Sequence, residues 1–188
     1  MKASLGRGRS RRAALSAPQM PFRRTIRPMK KTPPLDTFDL RILARYQHDT
    51  QTPAGRIGDD IGLSPAAVQR RLKRMRETGV IEQEVAQISP RAVGFAVTCI
   101  VGVDLDRELA ADLDRFRQKM ARCEEVQQCY YVTGSTDFIL VVLAPDMEAY
   151  EAFTRRVLLD DDNVKSFVTY VVLDRVKTGV TVPVDESR

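Results

Sequence analysis

Residues 63–80 carry apolar side chains at helical spacing and predict a short amphipathic helix. Ser64 is suited to cap its first turn, and Pro65 fits the first helical position, where a missing N–H is tolerated. Gly79 favours the left-handed conformation that ends a helix. The apolar stripe is Val68, Leu72 and Met75, and the other faces hold Gln69, Arg70, Arg71, Lys73, Arg74 and Arg76. Such a helix suits a phosphate-lined groove, although a basic surface helix has the same pattern.

A first helix is predicted over residues 35–47, before this basic helix. Asp36 is a good N-cap, and Asp39 is a good acid at the third helical position. One face of the segment is apolar, which predicts a helix that is buried on one side. The apolar residues are Leu35, Phe38, Ile42 and Tyr46, with Leu43 beside them.

A second, shorter helix is predicted between these two. Thr52 and Pro53 repeat the start signal of a capping side chain followed by proline, and Gly62 is a stop signal. Gly55 and Gly58 each lower the helicity by about 1 kcal/mol relative to alanine, which is tolerable where a neighbouring helix approaches closely. Three helices with a short glycine-containing turn between the last two form a helix-turn-helix.

The pattern changes to alternating strands and helices in the second half of the chain. Apolar runs at 95–105 and 137–144 are typical of buried strands, and 125–134 and 163–176 complete four strands. The two helical stripes are Leu109, Leu113, Phe116 and Met120, and Met147, Tyr150, Phe153 and Val157. The order β-α-β-β-α-β is that of a ferredoxin-like sandwich. Residues 80–89 predict an extended segment, either a wing or a connecting strand.

Charge is distributed unevenly along the chain. Residues 1–35 carry ten Lys or Arg and no acid, whereas residues 95–188 carry eleven basic and seventeen acidic residues. A basic front and an acidic back predict that a polyanion meets the front half only. Residues 1–34 have little apolar area and are predicted to form a disordered basic arm. This arm either follows phosphates or is partly the product of a start codon placed too early, since Met20 and Met29 are possible starts.

The composition gives little support for a metal centre, a disulfide framework or an enzyme. Three cysteines are odd in number and lack CxxC spacing, and His48 is the single histidine. We therefore expect neither a metal site nor catalytic residues, and we expect His48 to be a surface residue at a helix end. The acidic run 160–162 is expected to be a solvated turn. No apolar run approaches the roughly 18 residues of a membrane helix, so we expect no membrane association and a cytoplasmic protein.

These motifs together resemble the Lrp/AsnC (feast/famine) family of transcriptional regulators. The resemblance spans about residues 35–180 and rests on several motifs in order. They are LDTFDLRIL, IGLSPAAVQRRLKRMRETGVI, the hairpin VTGSTDF, and a closing strand that runs into VVLDRVK. The family commonly has a glycine shortly after the segment Gly79-Val80-Ile81, and this chain lacks it.

The resemblance implies an α+β fold, with an N-terminal winged helix-turn-helix followed by a ferredoxin-like βαββαβ (RAM) sandwich. It implies homodimers that pair through the sheets of the C-terminal domains, often assembled further into octamers. The open sheet face agrees, because it must be buried and symmetric pairing buries it. The expected division is a basic disordered arm at 1–34, a helix-turn-helix DNA-binding domain at 35–82, a linker strand at 83–94, a ligand-sensing and dimerisation domain at 95–180, and a tail at 181–188.

The candidate DNA-binding residues lie on the predicted third helix. They are Ser64, Ala66, Ala67, Gln69, Arg70, Arg71, Lys73 and Arg74. Ser64 and the helix N-terminus can hold a phosphate. Gln69 can pair with adenine and Arg70 with guanine in the major groove of double-stranded DNA. Arg71, Lys73 and Arg74 are expected to bind phosphates, which orient the helix without reading the sequence.

The candidate effector residues lie in the VTGSTDF hairpin. They are Thr133, Gly134, Ser135, Thr136 and Asp137. The family resemblance implies an amino acid or a related small acid as effector, held between subunits near this loop. Gly134 allows backbone N–H groups to approach a carboxylate, and Asp137 can accept an ammonium group. The alternative is that the segment is only a hairpin turn and that Asp137 stabilises it.

The predicted function is that of a sequence-specific transcriptional regulator that responds to an amino acid or related metabolite, acts on nucleoid DNA in a prokaryotic cytoplasm, and needs no cofactor. The alternative is a nucleoid-type protein that organises DNA with little sequence specificity, which the basic arm favours. The salt dependence of binding and the ratio of operator to random-DNA affinity separate the two.

Overall fold

The structure is a computed structural model that describes residues 34–186. The predicted basic arm therefore lies outside the described residues, apart from Pro34. The described chain has an N-terminal unit of three helices and a C-terminal α+β unit, and each has its own apolar core. Within residues 34–186, the helices are too short or too polar to cross a membrane.

The N-terminal unit is the predicted helix-turn-helix. Its helices are α1 (Thr37–Tyr46), α2 (Ala54–Ile61) and α3 (Pro65–Thr78). Asp36 and Asp39 cap α1 reciprocally, because each carboxylate accepts a hydrogen bond from the other residue's backbone N–H, at 2.8 and 3.1 Å. Ser64 Oγ accepts a hydrogen bond from Ala67 N at the start of α3. Gly79 ends α3 in the left-handed conformation, as predicted.

The predicted apolar stripes of α1 and α3 form the core of this unit, with one exception. The buried residues are Ile42, Tyr46, Ile57, Ile61, Val68, Leu72 and Met75. Phe38, predicted as part of the α1 stripe, is 36% exposed and does not belong to this core. Its ring lies under the guanidinium of Arg71, at 5.6 Å, because α3 offers a cation at this position rather than an apolar side chain.

The second helix differs from the prediction in its start and in the reason for its glycine. Thr52 does not cap α2; its hydroxyl donates to Asp49 Oδ2 at 3.2 Å, and Pro53 occupies the cap position without a side-chain bond. Gly58 is required by a close approach, although not by that of a helix as expected. The neighbour is the turn between α2 and α3 rather than another helix, because a Cβ at Gly58 would lie 2.3 Å from the Leu63 carbonyl oxygen.

The C-terminal unit confirms the predicted order of strands and helices. Its elements are β1 (Val97–Leu105), α4 (Ala110–Arg122), β2 (Val126–Tyr131), β3 (Phe138–Ala144), α5 (Met147–Phe153), which continues into a π-helical segment (Thr154–Leu159), and β4 (Val164–Val171). The sheet is antiparallel with the strand order β2-β3-β1-β4. This is the ferredoxin-like arrangement, in which the helices cover one sheet face.

Alternate residues of the central strands face the helices and form the second core. Cys99 is one of them and is fully buried, as expected for a small apolar side chain. Two residues of the predicted helical stripes lie outside this core. Leu109 is 68% exposed because it precedes α4 as its cap residue, and Met147 is 49% exposed in the first turn of α5.

The linker between the two units is not a strand. The predicted strand at 83–94 is wrong, since residues 82–89 are irregular and Arg91–Val93 form a short 3₁₀-helix. A strand needs a partner for its backbone hydrogen bonds, and in the described chain none lies beside this segment. The last strand is also shorter than predicted, because it ends at Val171 and the described residues after Val172 continue without a ladder partner.

The sheet face opposite the helices is apolar and open to solvent. Ile100, Tyr130, Val168 and Tyr170 are 39% to 63% exposed on this face. The register places Tyr130 opposite Ile139, and Ile100 opposite Tyr170. Tyr131 takes the other side, where its ring lies 5.1 Å from Phe138 and under Arg117 of α4. The two tyrosines thus face opposite sides of the sheet, as neighbours in a strand do.

Candidate nucleic-acid interface and effector loop

The candidate DNA-binding residues divide into two groups on α3. The first group projects to solvent on the side opposite Val68 and Leu72, because helical residues three and four apart share a face. Its members are the exposed side chains of Ser64, Ala66, Gln69, Arg70 and Lys73. Within residues 34–186, neither Gln69 nor Arg70 makes a side-chain hydrogen bond or an ion pair. Lys73 lies 3.9 Å from Glu77 and is 75% exposed.

The second group, Arg71 and Arg74, points towards α1 and is held by carboxylates. Arg71 Nη1 donates to Asp36 Oδ2 at 2.6 Å and to Asp39 Oδ1 at 2.9 Å. Arg74 Nη2 donates to the other oxygen of Asp39. Ala67, the remaining candidate, is half-buried behind the capped first turn. The helix therefore uses two of its cations to fasten itself to α1.

The carboxylate of Asp39 is the centre of this contact. Its side chain has no exposed surface, yet both oxygens are satisfied by Arg71, Arg74 and the backbone N–H of Asp36. A buried charge is stable only when paired and hydrogen-bonded in this way. Burial raises the pKa of Asp36, but the Arg71 hydrogen bond and the Asp39 backbone N–H outweigh it, so that pKa is lowered.

Sequence reasoning missed the role of Asp39 beyond capping, although a signal was present. Asp39 lies three residues before Ile42 and seven before Tyr46, so it falls on the face of α1 that the stripe predicts to be buried. An acid on a buried face demands a cationic partner. The sequence alone does not identify that partner, because six cations or amides on α3 are equally available until the crossing of the helices is known.

Arg76 binds the end of α1 and the linker while its side chain stays partly exposed. Its Nη2 donates to Tyr46 Oη at 2.7 Å, and its Nε donates to Glu84 Oε1 at 2.9 Å. Tyr46 Oη donates to the same Glu84 oxygen at 2.5 Å. Burial and then the Glu84 carboxylate raise the pKa of Tyr46, whereas the bonds from Tyr46 and Arg76 lower the pKa of Glu84. The irregular linker is thereby fixed to the helix-turn-helix.

The effector candidates form the corner between β2 and β3, beside the end of β1. Thr136 Oγ1 donates to the Val103 carbonyl at 2.9 Å. Asp137 donates its backbone N–H to the same carbonyl at 3.0 Å, and its Oδ2 accepts from Leu105 N at 2.7 Å. The structure therefore gives Asp137 the stabilising role that the sequence left open as the alternative. These two residues anchor the corner to β1.

The tip of the corner has the opposite character. Thr133, Gly134 and Ser135 are exposed, and Gly134 has a φ of 133°, which favours glycine. In the described part of the chain, the backbone N–H groups of these three residues form no hydrogen bond. Exposed N–H groups without a partner in the protein, at a corner formed by glycine, are available to bind an anion such as a carboxylate.

Two expectations about polar clusters have different outcomes. His48 is exposed just after α1, as predicted. The acidic run 160–162 is not simply solvated, because Asp161 is only 15% exposed and accepts from Lys119 Nζ at 2.8 Å. Burial opposes the ionisation of Asp161, but the Lys119 bond outweighs it and lowers the pKa. No group of three or more His, Cys, Asp or Glu side chains in residues 34–186 is placed to hold a metal ion.

Comparison with known proteins covers both units. Residues 35–76 match the AsnC-type helix-turn-helix domain, and residues 98–182 match the Lrp/AsnC ligand binding domain. The chain is 48% identical over 151 residues to an uncharacterised HTH-type transcriptional regulator of Sinorhizobium fredii, which covers 80% of this chain and 89% of that protein. It is 31% identical over 143 residues to the leucine-responsive regulatory protein of Escherichia coli, covering 76% and 87%.

A solved structure agrees with these matches. The complex of a transcriptional regulator from Neisseria meningitidis with L-methionine superposes with a TM-score of 0.76 at 26% identity, covering 82% of this chain and all of that one. These relatives are regulators, which favours a regulator over a protein that merely organises DNA. Because both domains match in this order, the chain belongs to the Lrp/AsnC family of transcriptional regulators.

Proposed function

We propose that α3 reads operator DNA through its outward face and that Arg71 and Arg74 position the helix from its side. The observation that carries this is the contrast between the two groups of cations. Arg70 and Lys73 are exposed, whereas Arg71 and Arg74 are bound to Asp39. Gln69 and Arg70 then contact base edges, Lys73 contacts a phosphate, and the N-terminus of α3 at Ser64, Ala66 and Ala67 holds another phosphate.

The test is DNA binding by Arg70→Ala across several salt concentrations, with an operator obtained by selection from random sequence. A base contact predicts a loss of about 1–3 kcal/mol on the operator and little loss on random DNA. Lys73→Ala is the matched control, because the loss of a phosphate contact weakens binding to all sequences alike. A uniform loss for Arg70→Ala would reject base reading by this residue.

We propose further that the corner Thr133 to Asp137 binds the carboxylate of an amino acid. Two observations support this: the backbone N–H groups at the tip have no partner in the described chain, and Asp137 fixes the corner to β1. The L-methionine bound by the Neisseria meningitidis regulator agrees with it. Thr133, Gly134 and Ser135 contact the effector, while Thr136 and Asp137 hold the loop in place. The second oxygen of Asp137 is left to accept an ammonium group, since only Oδ2 is bound within residues 34–186.

Thermal unfolding with each common amino acid tests this site, because a ligand that binds only the folded state raises the unfolding temperature. Leucine and methionine are the first choices. Asp137→Asn should reduce the rise, since it weakens the contact with Leu105 N. Asp59→Asn is the control, as Asp59 is an exposed acid of α2 in the other unit. Equal shifts for both variants would place the ligand elsewhere.

The regulator is proposed to act on nucleoid DNA in the cytoplasm as a homodimer or a larger assembly such as an octamer. The open sheet face supports pairing, because Tyr130, Val168 and Tyr170 are more than half exposed there. Scattered apolar residues are ordinary, but a contiguous patch on a sheet marks an interface. The two recognition helices of a dimer would meet major grooves about one helical turn, ~34 Å, apart.

Mass measurement in solution tests the pairing. Val168→Asp places a charge on the open face and is expected to shift the protein towards monomer. Arg122→Asp is the control, because Arg122 lies on α4, which covers the other face of the sheet. Unchanged mass for Val168→Asp would show that assembly uses another surface.

A further inference from the structure

The end of α1 is where the helix-turn-helix meets the rest of the chain. Three consecutive residues there each contact a segment beyond the helix-turn-helix. Tyr46 donates to Glu84 of the linker. Arg45 Nη1 donates to Glu186 of the tail at 3.1 Å, and Gln47 bonds to the tail residue Val182.

The contact of Gln47 with Val182 is a two-bond amide pair. Gln47 Nε2 donates to the Val182 carbonyl at 3.0 Å, and Val182 N donates to Gln47 Oε1 at 2.9 Å. The side-chain amide of Gln47 therefore satisfies both the N–H and the C=O of Val182, as a neighbouring strand would. Arg45 adds a charged contact, because it lies between Glu186 of the tail and Asp60 of α2, 3.6 Å from the latter.

The linker and the tail leave the ligand-binding domain at the same end of its sheet. The linker enters β1 at Val97, and β4 ends at Val171. Here the tail comprises all the residues after β4. These strands are antiparallel neighbours, with Cys99 opposite Val171, and Val172 N bonds to the Thr98 carbonyl just beyond. Two tethers thus start side by side on one domain and converge on one helix end of the other.

Two tethers restrict motion that one tether permits. A single irregular linker leaves a domain able to rotate about it, since inter-domain motion is the default where the contact is small. A second attachment on the same helix end removes much of that freedom. The contacts of the tail are exposed hydrogen bonds and one exposed ion pair, which are weak enough to open.

We infer that Gln47, supported by Arg45, is a positioning residue at which the C-terminal tail clasps the helix-turn-helix of the same chain and sets the orientation of α3. The clasp is independent of the proposed DNA contacts, but its consequence for operator binding rests on the proposed function. A clasped dimer holds its two recognition helices at one separation and prefers one half-site spacing. An unclasped dimer tolerates several spacings and binds the best of them less tightly.

Hydrogen exchange tests the clasp without DNA. The Val182 amide should exchange slowly in the full chain, faster in Gln47→Ala, and at the original rate in His48→Ala, which changes an exposed neighbour that makes no side-chain bond to the tail within residues 34–186. Identical exchange in Gln47→Ala and the unaltered chain would overturn the inference.

Crosslinking shows which chain supplies the tail. Cysteines replace Arg45 and Glu186 in a chain whose Cys123 and Cys129 are serine, and a short bismaleimide is added. An intrachain clasp predicts a crosslinked species that migrates as a monomer in denaturing gels. Covalent dimers would overturn the inference, because the tail would then belong to a second copy.

Operators with altered half-site spacing test the consequence. Gln47→Ala, and truncation after Lys177, should each weaken binding to the preferred operator about fivefold, the low end for coupling between sites. Both should flatten the spacing preference, whereas truncation after Glu186 should change neither. An unchanged spacing preference in Gln47→Ala overturns the positioning role. If the full chain shows no sequence preference in DNA binding, the proposed function is contradicted. The hydrogen-exchange result for the clasp does not depend on that outcome.

Discussion

Arg71 Nη1 on α3 lies 2.9 Å from the carboxylate of Asp39 on α1, a side chain with no exposed surface. A cation on a DNA-reading helix is usually thought of as available to phosphates. Here it is already neutralised by its own chain, and Arg74 shares the same carboxylate. The contact fixes α3 against α1, whereas Arg70 and Lys73 face outward.

Removal of the buried acid should destabilise the DNA-binding unit. Asp39→Ala leaves Arg71 and Arg74 without their shared partner and removes one half of the cap of α1. Because both arginines are partly exposed and can be hydrated, we expect a loss of about 2 kcal/mol in unfolding free energy, below the cost of breaking a fully buried pair. Urea unfolding measures it. Asp59→Ala, at an exposed acid of α2, should change stability by less than about 0.5 kcal/mol.

The salt dependence of DNA binding should separate the two groups of cations. Lys73→Ala is expected to reduce the slope of log K against log salt by about 1, because one phosphate contact is lost. Arg71→Ala should leave the slope nearly unchanged, since Arg71 is held by Asp36 and Asp39. Filter-binding or fluorescence titrations at several salt concentrations provide the slopes. Equal reductions for the two variants would mean that DNA displaces the carboxylates from Arg71.

The two glycines of α2 should respond to alanine with opposite signs. A Cβ at Gly58 would lie 2.3 Å from the Leu63 carbonyl oxygen, so Gly58→Ala must displace the turn, at a cost of about 1–3 kcal/mol. At Gly55 the nearest atom is Pro65 Cγ at 3.8 Å, an ordinary contact. Gly55→Ala should therefore stabilise the unit by about 0.5–1 kcal/mol through higher helix propensity. Thermal unfolding of both variants decides, and a stable Gly58→Ala would contradict the geometry.

The pair Lys119 and Asp161 predicts a pH-dependent difference in stability. The pKa of Asp161 is lowered in the folded protein. The pair therefore stabilises the folded state fully above the unfolded carboxyl pKa of about 3.9, and this contribution is lost as the pH falls through the lowered pKa of Asp161. Lys119→Gln should therefore be less stable than the original chain near neutral pH, and the gap should narrow below about pH 4. Lys165→Gln, at an exposed strand position, is the control. A gap that is constant from neutral to acid pH would exclude ionic pairing as its source.

The periodicity of apolar residues was sufficient to predict most of the elements. Stripes such as Val68, Leu72 and Met75 depend on local geometry alone, so the periodicity predicted the helices and the order of the strands. The caps at Asp36 and Ser64 followed from residue type. Errors occurred at element ends and in the linker, which was predicted to be a strand. Thr52 and Leu109 carry helical signals, but nearby contacts decide where a helix begins, and Asp49 binds the Thr52 hydroxyl instead.

The sequence by itself determined the fold, the family and the basic helix α3, because these depend on patterns within short segments. Which cations of that helix remain free was decided only by tertiary structure. The pairing of Arg71 with Asp39 spans 32 residues, and that of Gln47 with Val182 spans 135. Partners so distant along the chain are chosen by the packing of helices and strands, and a pattern of residue types holds no information about which of many compatible groups will meet.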